Sequence, residues 1–294
     1  MNANGSIDHF RRKWQTHVTA AEYDMTYPAE RPRNQWQLLE RIKADLMRDL
    51  LIREGHGPGS TVLECGCGAA GISIDLGLKG WRVTGLDVSE DALEMASQNA
   101  ASHGLGEELK LLVGRVEAPP VPDGSFDVVT SFGLLEHFED MGPAMDGMVR
   151  TIRPGGLFVA EVVSFRPSAL VAGRLFDMAA SASYNLARLR VRKALRSWRK
   201  LVPDFYEKPL GRNGCRRVLE QAGLTDVKVW GMRPFPPLAL PGALEQKYMT
   251  LIERTSTFVK WFDSADNLFT NAWGWSLMTV GRKPTLSDQE RLSP

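Results

Sequence analysis

Residues 61 to 78 constrain the fold of this chain more than any other stretch. A short β-branched run, Thr61 to Cys65, passes through Gly66-Cys67-Gly68 into a helical pattern, Ala69 to Leu78. A turn that carries a buried strand straight into a helix needs residues without a Cβ, because the backbone there adopts positive φ and approaches its surroundings closely. The same alternation then repeats. Arg82 to Val88 reads as a strand, and Glu90 to Ser102 as a helix with Ser89 as N-cap and Gly104 as stop. Leu109 to Gly114, Phe126 to Ser131 and Gly156 to Val163 read as further strands, with a helix at Ala144 to Ile152. Strands alternating with helices imply βαβ units, hence an α/β fold with a parallel sheet between helical layers.

After Ser164 the rhythm changes. Residues 168 to 202 read as one helical stretch without proline, closed by Pro203, and are assigned to an inserted cap. The core pattern returns with Arg212 to Gly223 as a helix, Asp226 to Met232 as a strand and Trp275 to Gly281 as the last strand. The expected organisation is a helical segment at 1–58, a core at 59–164, 211–233 and 271–283, and cap insertions at 165–210 and 234–270. A 43% apolar and 24% charged composition is that of a folded globular chain, and a net charge of +1 gives no overall attraction for polyanions. Cys65, Cys67 and Cys215 are too few and too scattered for a secreted disulfide framework. With a polar N-terminus and no apolar run of about 18 residues, they predict a cytoplasmic chain.

Gly66, Gly68 and Gly71 match the glycine spacing of a dinucleotide-binding turn. Such a turn suits NAD, FAD and S-adenosylmethionine alike. Glu64 separates them: it stands two residues before Gly66, where a carboxylate would repel a pyrophosphate but attract the ammonium of a methionine moiety at about 4 Å. Asp87 ends the next strand, where an acidic side chain accepts from ribose hydroxyls; its plainer role is that of a helix N-cap or solvated turn residue.

Val62-Leu63-Glu64-Cys65-Gly66-Cys67-Gly68 resembles the first motif of the class I methyltransferases, and Val83 to Asp87 resembles their second. Pro122 to Val129 with Leu135-Glu136-His137 is similar to their fourth-strand region, and Arg153-Pro154-Gly155-Gly156 to the turn before their fifth strand. The resemblance implies a Rossmann-like, seven-stranded methyltransferase sheet with helices on both faces, an antiparallel final strand, and a helical cap insertion. It also implies methyl transfer from S-adenosylmethionine to a small molecule, with oxygen the first acceptor atom and carbon or nitrogen next. Residue by residue, it assigns Glu64 to the methionine ammonium, Gly66, Cys67 and Gly68 to the close backbone approach, Asp87 to the ribose and Val88 to an adenine face. Arg115 and Val116 would flank the adenine edge, and Ser131 and Phe132 would line the floor. Two positions depart from the pattern. Ala70 replaces a third glycine, and Arg115 replaces an acceptor for the adenine amino group that a guanidinium cannot supply, so the backbone or Glu117 is expected to read the adenine.

His137 stands where a base could meet the acceptor, although the same tripeptide occurs in the family without that role. Cys65-Gly-Cys67 has no second ligand pair for zinc, so no metal is expected. Arg188, Arg190, Arg192, Lys193, Arg196, Arg199 and Lys200 alternate with Val191, Leu195, Trp198 and Val202 in a basic amphipathic stretch, 186–202. It reads as a peripheral membrane contact, as a wall for an acidic or lipid-like substrate, or as a solvated face. Trp14, Tyr23 and Tyr27 read as core or as a lid. Phe132 to Leu135 lacks the Asn-Pro-Pro-aromatic motif of amino-methylating enzymes, so no nucleic-acid partner is expected. A nicotinamide-dependent oxidoreductase and a catalytically idle methyltransferase-like scaffold are the alternatives.

Overall fold

The computed structural model describes residues 32–106, 108–163, 167–198, 208, 210–285 and 287. Helix α1 (Gln35–Arg53) begins at Asn34, whose side chain caps the first turn, and precedes β1 (Thr61–Cys65). Then follow α2 (Gly71–Leu78), β2 (Arg82–Asp87), α3 (Glu90–Ser102), β3 (Leu109–Val113), β4 (Phe126–Phe132), α4 (Gly142–Thr151) and β5 (Ile152–Val163). Ser89 caps α3 through Ala92 N, as its position predicts. The seven strands lie in the order β3-β2-β1-β4-β5-β7-β6, where β6 is Thr225–Met232 and β7 is Ser276–Arg282. Strands β1 to β5 pair in parallel, and β7 runs antiparallel to both neighbours. This is the sheet that the alternation and the resemblance predict, with strand ends moved by one residue. The exception is β5, which starts at Ile152: Ile152 already pairs with Phe126 of β4, and a register shift follows before Leu157 pairs with Val128.

Both faces of the sheet are covered. On one, Val62, Val128, Val159 and Met278 meet Met47 and Leu51 of α1. On the other, Leu63, Val129, Phe158 and Leu277 meet Met145 of α4 and Leu219 of α7 (Arg212–Gln221). Burial of the strands on both faces explains why they read as continuous apolar runs.

The two segments expected as insertions behave differently from one another. In 234–270, helices α8 (Gly242–Arg254), α9 (Ser256–Ser264) and α10 (Leu268–Trp273) lie against β6 and α1. Asn271 Oδ1 accepts from Gly231 N and Asp263 O from Trp230 Nε1, so this segment covers the outer strand of the sheet. A Cβ on Gly231 would sit 2.0 Å from Thr270 O, which fixes the residue type at that contact.

The single helix expected from 168 to 202 is broken. Helix α5 (Ala169–Ala187) ends, Leu189 takes φ 55, and a short α6 (Val191–Leu195) follows. Asn185 O accepts from both Arg188 N and Arg190 N, while Arg188 folds over the Tyr184 ring at 4.4 Å. These contacts close a turn and separate cations that one continuous helix would stack as like-charged neighbours. Arg199, Lys200 and Val202 lie outside the described residues, as do Phe10, Trp14, Tyr23 and Tyr27.

A buried charge cluster joins these parts. Arg233 follows β6 with φ 63, its N–H held by Asp263 Oδ1 at 2.6 Å. Its guanidinium lies over Trp275 and pairs with Glu161 of β5 at 2.8 Å and Glu40 of α1 at 3.1 Å. Lys43 pairs with Glu40 at 2.5 Å and Glu161 at 3.5 Å. Burial would push the Glu40 carboxyl up, but Lys43 and Arg233 hold it at about 2. Removal of one member of such a group leaves an uncompensated charge. Arg233→Met is therefore expected to lose about 3–5 kcal/mol of stability in urea unfolding, and a loss below about 1 kcal/mol would contradict this view of the cluster.

Candidate functional site

The carboxyl ends of β1, β2 and β4 converge around the glycine turn, the position where open α/β sheets place ligands. Gly66 and Gly68 have φ of +73° and +52°. A Cβ on Gly66 would stand 2.9 Å from Leu134 Cδ2, so both the conformation and the space require glycine there. Ala70 also lies in the left-handed region, at φ 58 and ψ 32, which explains the glycine expected at that position. Cys67 is buried with its thiol against Gly85, where a Cβ would come within 2.9 Å of Sγ. Its contribution to the site is therefore backbone, and burial pushes its thiol pKa up.

The N–H groups of the turn are already engaged. Gly66 N and Cys67 N donate to Leu86 O at 2.7 and 3.1 Å, and Gly68 N donates to Asp87 Oδ2 at 2.8 Å. Asp87 Oδ1 accepts from Ser89 N at 2.9 Å, so one carboxylate ties the turn to the start of α3. Burial raises the Asp87 pKa against these backbone hydrogen bonds. Glu64 turns toward α2, where Oε2 accepts from Ser73 N at 2.9 Å and Ser73 Oγ at 2.5 Å. Burial lifts its pKa to about 7 although Ser73 and Lys43 pull it down.

Gly114 N donates to Asp87 O, bringing the end of β3 alongside the end of β2. Arg115 pairs with Glu117 at 2.6 Å on the surface, and Val116 is buried in the core beside Leu86, so neither side chain stands as a ready-made adenine wall. Val88 is half-buried next to Asp87. At the end of β4, Ser131 is fully buried and its Oγ has no hydrogen-bond partner among the described residues; Phe132 follows, half-buried. His137 closes the helical turn Leu135–His137 and is half-buried. Glu136 braces that turn, because its Oε1 accepts from Val163 N at 3.1 Å and its carbonyl accepts from Lys208 N at 2.7 Å.

Residues 63–160 match the family described as a methyltransferase domain. This is a methyltransferase domain. It runs from β1 to β5 and contains Glu64, the glycine turn, Asp87 and Ser131. The cofactor of this class is S-adenosylmethionine, and the cleft suits it: a glycine cradle that a Cβ would fill, and two carboxylates. Over 111 residues the chain is 32% identical to the ubiquinone biosynthesis O-methyltransferase of Pseudomonas putida, covering 38% of this chain and 47% of that protein. The chain thus spans about half the length of the curated relatives it matches. The geranyl diphosphate C-methyltransferase of Streptomyces coelicolor shares the fold, with 12% identity, TM-score 0.53 and coverage of 96% of this chain and 100% of that one. So does the cyclase SpnF, with 16% identity, TM-score 0.52 and coverage of 88% and 86%.

Sequence reasoning found the methyltransferase domain through Glu64, the glycines and Asp87, and missed Ser73, Lys43 and Arg233. The available signal was Glu161, a lone charge inside the apolar run Phe158 to Val163. Gly66→Ala, which forces a side chain into the left-handed region, is expected to lose about 1–2 kcal/mol in thermal or urea unfolding. An unchanged midpoint would show that the turn can relax around Leu134.

Proposed function

We propose that the chain transfers a methyl group from S-adenosylmethionine to a small-molecule acceptor, with oxygen the first acceptor atom and carbon or nitrogen the alternatives. The supporting observation is the bond from Ser73 N to Glu64, which puts a carboxylate on the first turn of α2. A dinucleotide site needs that helix end and the N–H groups of the turn for pyrophosphate. Here a negative charge and internal hydrogen bonds occupy them. The nicotinamide reading loses its anion site by the same contacts.

In this reading Glu64 faces the cofactor's ammonium, and Asp87, whose oxygens have lone pairs beyond the two N–H bonds they accept, takes the ribose hydroxyls. Gly66 and Gly68 let the ligand lie against bare backbone, and the unpartnered Ser131 Oγ offers a hydrogen bond at the floor beside Phe132. Bound in the cleft, the cofactor supplies an electrophilic methyl on a sulfonium. The chain then contributes chiefly alignment, which can be worth about 7–11 kcal/mol. His137, on the turn that Glu136 braces, would take the proton of a hydroxyl acceptor. Exchange of His137 for Asn should lower kcat by about 100-fold or more with unchanged affinity for S-adenosylhomocysteine; equal turnover would remove it as the base. An idle scaffold would instead keep that affinity and show no turnover with any acceptor.

The Glu64 pKa of about 7 gives a pH test. An ammonium ligand prefers the carboxylate, so its affinity rises with pH through 7 and then levels. Titration calorimetry with S-adenosylhomocysteine should show about tenfold weaker binding at pH 6 than at pH 8, and Glu64→Gln should flatten that slope. A flat profile in the native protein would detach Glu64 from the ligand.

A lipid-like acceptor reached at a membrane surface fits the exposed insertions. Of nineteen exposed large apolar side chains among the described residues, eight lie between Leu175 and Trp198 and seven between Leu244 and Trp273. The two groups adjoin, since Ala239 N donates to Asp177 and Gly173 packs on Pro236. Residues 167–198 carry six cations against one anion, which suits an anionic surface. No described helix is long and apolar enough to cross a membrane. Binding to vesicles containing an anionic lipid should weaken with salt and fall at least fivefold in Leu189→Glu/Leu195→Glu; equal binding by that variant would place the contact elsewhere.

A further inference from the structure

Lys43 has no task in the mechanism above, yet among the described residues it is, with Arg233, a cation buried in the core beside the site. Its ammonium stands over the Phe132 ring, 5.3 Å from the centroid, between Glu40 and Glu161. Phe132 and Glu64 belong to neighbouring strands on the same face of the sheet. Glu64 is paired in register with Thr130, and Phe132 lies two residues beyond it. The Lys43 ammonium thus stands on the face of the sheet that carries Glu64, over the aromatic ring of the neighbouring strand, and both side chains are buried.

We propose that Lys43 is a positioning residue for the cofactor, acting through Glu64: its buried ammonium holds the neighbouring carboxylate in the charged form that the cofactor's ammonium requires. This inference rests on the reading of Glu64 given above. The groups around Glu64 have definite signs. From α1, Lys43 favours its ionisation and Glu40 opposes it; from α2, Ser73 favours it through two hydrogen bonds. Asp75 on α2 is paired with Arg48, Asp87 on β2 is bonded to two N–H groups, and Glu161 on β5 is paired with Arg233. Cys65 and Cys67, which flank Glu64 on its own strand and turn, are buried thiols with raised pKa. Lys43 is therefore the cation that favours the charged form of Glu64, opposed by its own partner Glu40. Burial, the largest effect on Glu64, acts against ionisation, so the cation is needed to keep the carboxylate available near neutral pH.

Opposite signs at Lys43 and Glu40 make the test specific. The affinity of the full-length chain for S-adenosylhomocysteine would be measured from pH 5.5 to 9 in the native protein, Lys43→Met, Lys43→Arg and Glu40→Gln, each checked for a cooperative thermal transition. The midpoint of the profile should rise by at least half a pH unit in Lys43→Met, fall in Glu40→Gln and stay in place in Lys43→Arg, with the affinity at high pH within about twofold of native. Profiles that keep the native midpoint, or that move the same way in Lys43→Met and Glu40→Gln, would overturn the inference, because a structural lesion lowers affinity without such a sign. If Lys43→Met does not fold, the direction of the Glu40→Gln shift decides alone. Failure of the native protein to bind at all would instead overturn the reading of the cleft.

Discussion

Two carboxylates at the ends of adjacent strands set the geometry of everything around them. Asp87 receives N–H groups from the glycine turn and from the start of α3, and Glu64 receives the first turn of α2. Each replaces water on donors that burial would otherwise leave unpaired. The turn can be tight, glycine-rich and stable because these acceptors stand within it. The same feature directs the chemistry, since a turn whose donors are internally spent offers a ligand bare backbone and negative charge. That surface suits a cationic, ribose-bearing ligand far better than a pyrophosphate.

Outward from the turn, the buried group of Glu40, Lys43, Glu161, Arg233 and Asp263 ties α1, β5, β6 and α9 to the same end of the sheet. Buried ion pairs add little net stability over well-packed apolar residues, but they strongly penalise arrangements that separate the partners. Here they hold α1 and the 234–270 insertion in one register against the strand ends. Burial lifts the Asp263 carboxyl to about 7 although Arg233 bonds and attracts it. The exposed apolar and basic surface of α5 and α6 lies beyond this frame, held to it by the first half of α5.

The strands from Thr61 to Phe132 were legible because each is a largely apolar run closed by glycine or an acidic residue. The glycine turn was legible because Gly66 and Gly68 follow β1 directly and Glu64 and Asp87 stand at or next to the ends of their strands. The break at Leu189 was hidden, since neither glycine nor proline stands between Tyr184 and Trp198 to mark it. What decides the break is Asn185 O accepting two N–H groups and Arg188 stacking on Tyr184, contacts that leave no periodic trace. Glu40 and Lys43, three residues apart, look like an ordinary surface pair on a helix. Only the partners brought by β5 and β6 reveal that Lys43 is buried and Glu40 half-buried. Val116 and Arg115 were placed by analogy, and the structure puts one in the core and the other in a surface pair, because the turn after β3 packs closely on Gly147.

The central claim is that the cleft at Glu64 and Asp87 takes S-adenosylmethionine and not a dinucleotide. Isothermal titration of the full-length chain at pH 8 with S-adenosylhomocysteine and, separately, with NAD tests it most directly, with Asp87→Ala run beside the native protein. The account predicts micromolar binding of S-adenosylhomocysteine, a loss of at least tenfold in Asp87→Ala, and no measurable binding of NAD. Binding of NAD in place of S-adenosylhomocysteine would contradict it.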